Sequence, residues 1–265
     1  MDYENIRKDK YTPQGYVETE DIIFITAYKK GSKSRLYFYK DGYFSYLELN
    51  NNHHVGGITV DTDNSIVFIT GRGGSVTTYK YDVLLEDIIN HDICGATKYT
   101  IENNIKFERQ ISTITYDKGY IYACTYGYGS KIYKISYEYN KDKIVQKEYD
   151  DTIYLKDGNC IQGMFIYDKY VITSVSAYFL KSLLKIYSGN ILLNEITITK
   201  PGLEGIYIKN NIIYGIFEFG EYKITELASI ESLINNKEHK PSNKLAYKLV
   251  GKRVNKKRKV KNIYE

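Results

Sequence analysis

Five small or polar residues recur just before the same kind of strand in this chain. They are Gln14, Gly56, Ser112, Gln162 and Glu204, and four of them are followed by a glycine. Each precedes residues that alternate between apolar and polar, a pattern typical of a half-buried strand. Equivalent residues of a repeat occupy equivalent places, so the pattern predicts a cluster of amide, hydroxyl and carboxylate groups suited to a polar ligand.

His54 and Glu204 are the strongest candidates for catalysis in this cluster. Residues two positions further back face the same way in a regular strand; they are Thr12, His54, Gln110, Cys160 and Gly202. Among the ten positions, Glu204 is the only carboxylate and His54 the only imidazole. The pair could act as general acid and base, or bind one divalent cation with the amides as weak ligands. One histidine and one carboxylate are too few to define a zinc site, so the metal stays unknown.

The ends of the second strands supply a rim to the same cluster. Arg72, Tyr126 and Glu218 hold matching positions, with Tyr128 close by. A guanidinium between glycines can reach a carboxylate or phosphate. The alternative reading of Arg72 is an exposed arginine in a turn. The predicted ligand-binding set is therefore Gln14, Arg72, Ser112, Tyr126, Gln162 and Glu218. Cys160 is interpreted as a small buried hydrophobe rather than a nucleophile.

The candidate residues begin five repeated units, spaced about 40–55 residues apart. Second strands are predicted at 22–29, 65–72, 120–127, 170–177 and 211–220, and third strands at 34–40, 75–81, 130–137, 182–188 and 221–227. Fourth strands are clear at 43–49, 144–150 and 191–199. In the other two units, helix-like spacing at 83–90 and 228–235 precedes candidate strands at 98–102 and 244–250.

Four antiparallel strands repeated at this interval indicate an all-β fold, a β-propeller of five blades with short helical insertions in blades two and five. Six blades, or a sandwich with an extra sheet, are the alternatives. Residues 11–250 form one predicted domain and 251–265 a basic tail. In a propeller the first strands converge on the axis, and glycine permits close backbone approach there. Residues 1–11 either close the ring or lie across one face.

The amino-acid composition restricts the kinds of partner that the protein is expected to bind. The chain of 265 residues has 30 Tyr and no Trp, and it carries a formal net charge of +5, with basic residues concentrated at 252–261. That run is interpreted as a solvated tail, since the body shows no basic stripe that would indicate specific nucleic-acid binding. No stretch is apolar enough for a membrane span. The sequence as it stands predicts a cytoplasmic protein, or a secreted one if a signal peptide has been removed.

The phrases TPQG, HVGGI, IQGM and PGLEGI resemble the innermost strands of a broad propeller group. The group includes gluconolactonase, strictosidine-synthase-like proteins, plant-type glutaminyl cyclases and esterase-like phytases, and the resemblance covers most of 11–225. The cyclase type implies five blades, an axial metal and a carboxylate acting in proton transfer, which only Glu204 matches. Its opening strand is matched by Gln14 and Gly15. The lactonase type implies several acidic and amide metal ligands, of which one axial carboxylate is present.

Two function classes remain open on this evidence. The first is a propeller that binds a small polar molecule or a divalent cation at the mouth of its channel, as a hydrolase or cyclase if it is an enzyme. The second is a non-enzymatic scaffold that docks a protein through a tyrosine-rich rim or the basic tail, because tyrosine combines contact area with a polar tip.

Overall fold

The structure, a computed structural model, describes residues 3–20, 22–140, 143–155, 157–176, 181–220 and 222–235. The candidate strand at 244–250 and the basic tail lie outside these ranges. Within them, the chain forms five antiparallel meanders that follow one another in sequence.

Each meander pairs its strands in the order in which they occur. The first is β1 (Thr12–Glu18), β2 (Ile23–Tyr28), β3 (Arg35–Lys40) and β4 (Tyr43–Glu48); the second is β5 (Ile58–Asp61), β6 (Ile66–Thr70), β7 (Val76–Lys80) and β8 (Thr100–Asn103). The third is β9 (Ile111–Asp117), β10 (Tyr120–Thr125), β11 (Lys131–Asn140) and β12 (Lys143–Tyr154); the fourth is β13 (Ile161–Tyr167), β14 (Tyr170–Val175), β15 (Lys181–Ser188) and β16 (Ile191–Pro201). The fifth contains β17 (Leu203–Lys209), β18 (Ile212–Phe217) and β19 (Thr225–Ser229).

The predicted helical insertions are present in the second and fifth meanders. Helix α2 (Tyr81–Ile89) follows β7, and helix α3 (Ile230–Asn235) follows β19. Leu84 and Ile88 of α2 are buried against the second meander, which explains the apolar spacing seen in the sequence. The candidate strand after α2 is also present, as β8. Its end pairs in parallel with the start of β12, so the second and third meanders share one eight-stranded sheet.

The first strands of the meanders surround a common axis. β1 contacts β5, β5 contacts β9, β9 contacts β13, β13 contacts β17, and β17 returns to β1. The glycines mark these close approaches: a Cβ added at Gly57 would lie 2.6 Å from the backbone nitrogen of Ile114, and one at Gly205 would lie 2.8 Å from that of Tyr16. The reason predicted for the repeated glycine is therefore confirmed at these positions.

The N-terminal segment fills the gap between the first and last meanders. Helix α1 (Glu4–Lys8) carries Ile6, which is fully buried with Tyr3 and Tyr11 in one apolar cluster. That cluster joins Ile25 of β2 to Ile216 of β18. The backbone of Tyr3 also donates a 2.7 Å hydrogen bond to the carbonyl of Tyr222. Of the two arrangements left open by the sequence, closure of the ring is the observed one.

No helix in the described ranges is long and apolar enough to cross a membrane.

Candidate functional site

The residues singled out before the glycines occupy β-bulges. The register of β1 against β2 shifts between Pro13 and Gly15, so Gln14 is the extra residue. Similar irregularities fall at Ser112 in β9, at Gln162 in β13 and at Glu204 in β17. Bulges re-aim side chains and are common beside active sites. The four polar side chains therefore share a local irregularity of the backbone as well as an equivalent position in the repeated unit.

Hydroxyl groups on the second strands fix this arrangement. Thr26 Oγ1 accepts a hydrogen bond from the Gly15 amide at 2.9 Å and donates to the carbonyl of Val55 at 2.7 Å. Thr70 Oγ1 accepts from the Gly57 amide at 2.8 Å, and Ser174 Oγ donates to the Glu204 carbonyl at 2.9 Å. Our sequence reasoning missed these positioning residues, although a recurring threonine or serine in the second strands was a visible signal.

Glu204 is a buried carboxyl group with few compensating contacts. It is 4% exposed, and Nε2 of Gln162 donates to its Oε1 at 3.2 Å. Burial, together with the charge of Glu218, raises the pKa of the Glu204 carboxyl well above its ordinary value. Burial also raises the pKa of half-buried Glu218. This environment favours a protonated Glu204, a neutral acid able to donate a hydrogen bond or a proton.

His54 is held by the first meander and remains accessible to solvent. Its Nδ1 lies 2.8 Å from Oε1 of Gln14, and its ring stacks on Tyr28 with centroids 4.1 Å apart. Gln14 Nε2 donates to the Pro13 carbonyl, so the Oε1 that meets His54 must accept, and Nδ1 carries the proton. Partial burial lowers the pKa of His54, which favours the neutral ring with an unprotonated Nε2.

The structure pairs the candidates with neighbours rather than directly with each other. Within the described ranges, His54 bonds to Gln14 and Glu204 to Gln162, and no hydrogen bond joins His54 to Glu204. Gly205 nevertheless packs against the backbone of Gly15 and Tyr16, so the strands that carry Glu204 and Gln14 are adjacent. Glu204 and the Gln14 that holds His54 therefore lie on neighbouring first strands, at equivalent positions of the repeat.

The period-of-two argument fails at the positions further back. Cys160 is buried in the apolar cluster between the third and fourth meanders, which confirms its interpretation as a small buried hydrophobe, and Gln110 is exposed, accepting a hydrogen bond from the Gly73 amide. The bulges explain this result, because each inserts one residue and breaks the alternation. His53, the neighbour of His54, is half-buried, and its Nε2 lies beside Gly71.

The predicted rim residues differ in their surroundings. Arg72, Tyr126 and Tyr128 are exposed, and Glu218 is the member that interacts with Glu204. The Ser112 hydroxyl is buried and donates to the Cys124 carbonyl at 3.2 Å, so a structural contact already uses it. Glu218 and Gln162 thus form part of the surroundings of Glu204.

A cavity of about 250 Å³ occupies the channel on the other side of the glycines. The cavity extends from the glycines to the carboxyl ends of the first strands, where Glu18 lies. The glycines that line it include Gly15, Gly57, Gly163 and Gly205. Gln14, Gln162 and Glu204 are not part of its lining. The repeated residues of the sequence mark only the amino ends of these strands and do not predict this space.

No group of three or more His, Cys, Asp or Glu side chains in the part of the chain that the structure describes is arranged to hold a metal ion.

No family model and no curated protein matches the chain. Solved structures do resemble it. The glutaminyl cyclase of Myxococcus xanthus superposes with a TM-score of 0.55 at 11% identity, covering 82% of this chain and 89% of that one. The nidogen/laminin complex gives a TM-score of 0.50 at 9% identity, covering 77% and 72%. The WD40 β-propeller domain of Doa1 gives 0.43 at 8% identity, covering 78% and 62%.

The chain is a β-propeller. Its meanders follow one another around an axis, and the two solved structures that superpose with TM-scores of 0.50 and 0.55 share this fold. At this level of identity the likeness concerns the fold and assigns no role to any residue of the propeller.

Proposed function

We propose that the protein is a five-bladed propeller whose Glu204 end binds a small polar ligand bearing a carbonyl or amide group. The cyclic contacts among β1, β5, β9, β13 and β17 support the count of five blades. We include residues 3–10 in the domain predicted for 11–250, because they pack between the first and last blades. Residues 251–265 are kept as a separate basic tail.

The observation that carries the ligand assignment is the buried carboxyl of Glu204. The protonated acid that its environment favours presents a hydrogen-bond donor, while His54 presents an acceptor at Nε2. An amide contains an acceptor oxygen and an N–H donor group, and it therefore complements the two groups. An acid with a raised pKa and a base with a lowered pKa is also the arrangement that general acid–base catalysis needs.

The remaining candidate residues receive supporting roles in this proposal. Gln162 orients Glu204 and Gln14 orients His54. The charge of Glu218 adds to the effect of burial in raising the pKa of the Glu204 carboxyl. Arg72 and Tyr126 are exposed and would contact the outer part of a larger ligand. One solved relative of the fold is a glutaminyl cyclase, so a glutaminyl peptide, which carries a side-chain amide, is the first ligand to test.

Ligand-observed NMR with a glutaminyl dipeptide, an amine and a carboxylate of similar size tests the proposal. We expect the dipeptide to bind best, and its affinity to fall about tenfold in Glu204→Ala, which removes the donor, and in His54→Ala, which corresponds to about 1.4 kcal/mol for one hydrogen bond. Glu20→Ala, at the opposite end of the channel, is the matched control. Equal binding by wild type and both site variants contradicts the proposal. Release of ammonia from the dipeptide would establish a catalytic role.

A second function, docking of a protein partner, is supported by tyrosines that remain exposed. Tyr126, Tyr128 and Tyr154 are 46%, 48% and 54% exposed, and tyrosine is enriched at interfaces. Replacing all three with serine should remove a partner recovered by cross-linking, whereas Glu204→Gln should not. The reverse result favours the ligand site.

A further inference from the structure

The second end of the channel has the composition of a separate binding site. The 250 Å³ cavity lies just below the usual range of small-molecule pockets, about 300–1,000 Å³, so its occupant is small. Its lining begins at the glycines and continues to the strand ends, where Glu18, Glu20 and Thr62 lie. It contacts neither Glu204 nor His54, which distinguishes it from the site proposed above.

Aromatic rings form one wall of this cavity. Tyr16 packs edge-on against Tyr207 with ring centroids 5.8 Å apart, and Tyr207 packs against Phe165 at 5.4 Å. All three rings belong to residues that line the cavity, as does Tyr116 of β9. Aromatic rings bind an apolar body and also attract cations through their π-faces.

The cavity is electronegative at its open end. Glu18 and Glu20 line it, and no lysine or arginine of the described ranges does. The charge of Glu18 helps to raise the pKa values of Tyr16 and Tyr207, after burial. On the opposite wall, burial and the nearby charges of Asp61 and Asp63 raise the pKa of Tyr116 to about 12. Such surroundings disfavour an anionic ligand and favour a cationic one.

A side chain of the protein already occupies the cation position. The ammonium group of Lys209, at the end of β17, forms an ion pair with Oε1 of Glu18. The other oxygen, Oε2, accepts a 3.0 Å hydrogen bond from the Tyr16 hydroxyl. The Lys209 side chain is 51% exposed, whereas that of Glu18 is 15% exposed. The carboxylate is thus held in place, and its ammonium partner is attached to a solvent-exposed side chain that can move away.

We propose that this cavity binds a small primary amine with an apolar body, whose ammonium group replaces Lys209 at Glu18 while its body lies along Phe165 and Tyr207. Lys209 is then a tethered competitor for the ligand. Removing Lys209 should therefore strengthen the binding of a cation, whereas a structural role for the ion pair predicts weaker binding. A general electrostatic attraction predicts a similar gain from removing any nearby lysine, so the comparison with a lysine outside the cavity separates it from direct competition.

Calorimetric titration at low salt with benzylamine, benzyl alcohol and benzoate tests this proposal, because the three probes share a ring and differ in charge. We expect benzylamine to bind best and benzoate not to bind. Glu18→Gln should weaken benzylamine binding about tenfold, as for loss of a charge-assisted contact, and Lys209→Met should strengthen it several-fold. Lys169→Met, a lysine at the same end that does not line the cavity, and Glu204→Gln should both leave it unchanged.

Three results overturn the proposal: equal affinity for the three probes, weaker binding in Lys209→Met, or loss of benzylamine binding in Glu204→Gln. The last would assign the amine to the other end of the channel. Thermal unfolding of each variant checks that it is folded, and the gain in affinity expected for Lys209→Met cannot arise from misfolding.

Discussion

Nδ1 of His54 lies 2.8 Å from Oε1 of Gln14, and this contact sets which ring nitrogen faces the channel mouth. Because Gln14 uses its amide nitrogen on the Pro13 carbonyl, its oxygen is left to accept from His54. Nε2 is then the free base of the site. A bulged glutamine on the first blade thereby controls the chemistry of a histidine on the loop that leads to the second.

The tautomer of His54 is the first prediction. We expect ¹⁵N NMR of the imidazole at pH 7 to show a protonated Nδ1 and an unprotonated Nε2. In Gln14→Met, which keeps the chain length and removes the acceptor, the tautomers should mix. His91 provides an internal reference, because its ring stacks on Tyr43 and it lies far from Gln14 in the sequence. A protonated Nε2 in the wild-type protein would rule out His54 as the base.

The second prediction concerns the pH dependence of stability at Glu204. Its pKa is higher in the folded than in the unfolded protein, so the folded state binds the proton more tightly. The resulting contribution to the free energy of unfolding is fully present below about pH 4.5, which is the ordinary pKa of a glutamate side chain. It is lost as the pH rises through the pKa of Glu204 in the folded state. Glu204→Gln cannot ionise, so its stability relative to wild type should rise with pH, by up to about 1.4 kcal/mol per pH unit.

Urea unfolding of both proteins across this pH range measures the difference. Glu20→Gln serves as the control, because Glu20 is exposed and lies at the other end of the channel. Its stability relative to wild type should stay nearly constant. If the difference in the free energy of unfolding between Glu204→Gln and wild type is also constant with pH, the pKa of the Glu204 carboxyl is not raised in the folded protein.

Much of the fold follows from the sequence because propeller blades are local structures. Alternating strands separated by Asp, Asn and Gly turns define each meander without reference to distant residues. The apolar spacing of 83–90 likewise predicted α2, and the repeated glycine predicted close approach at the axis. These features depend on neighbours in the sequence, which a single chain displays directly.

The site was harder to predict because it depends on departures from regular structure. One inserted residue at each bulge changes which side chains face the axis, so alternation misassigned Cys160 and Gln110. The ion pair between Glu18 and Lys209 joins residues that are 191 positions apart in the sequence. No pattern in one sequence reveals such a contact, because it exists only once the ring has closed.

The third prediction tests the close approach of the first strands. A Cβ at Gly57 would lie 2.6 Å from the backbone nitrogen of Ile114 and 2.7 Å from Cα of Thr113, and neither backbone can move without moving a blade. Gly57→Ala should therefore lower the free energy of unfolding by about 1–3 kcal/mol. Gly95→Ala is the matched control, since nothing lies within 4 Å of the added carbon. Similar melting temperatures for the two variants would contradict tight packing at the axis.

The fourth prediction concerns closure of the ring by the N-terminal segment. Ile6 is fully buried between residues of the first and last blades, so Ile6→Ala should lower the free energy of unfolding by about 2–5 kcal/mol. Leu193→Ala removes a comparable side chain that is 49% exposed, and it should cost much less. Native-state hydrogen exchange distinguishes the mechanism. If Ile6 closes the ring, exchange in Ile6→Ala should accelerate in β1, β2 and β18, the strands on either side of the segment. Acceleration confined to α1 would mean that the helix is an appendage and that the blades close the ring without it.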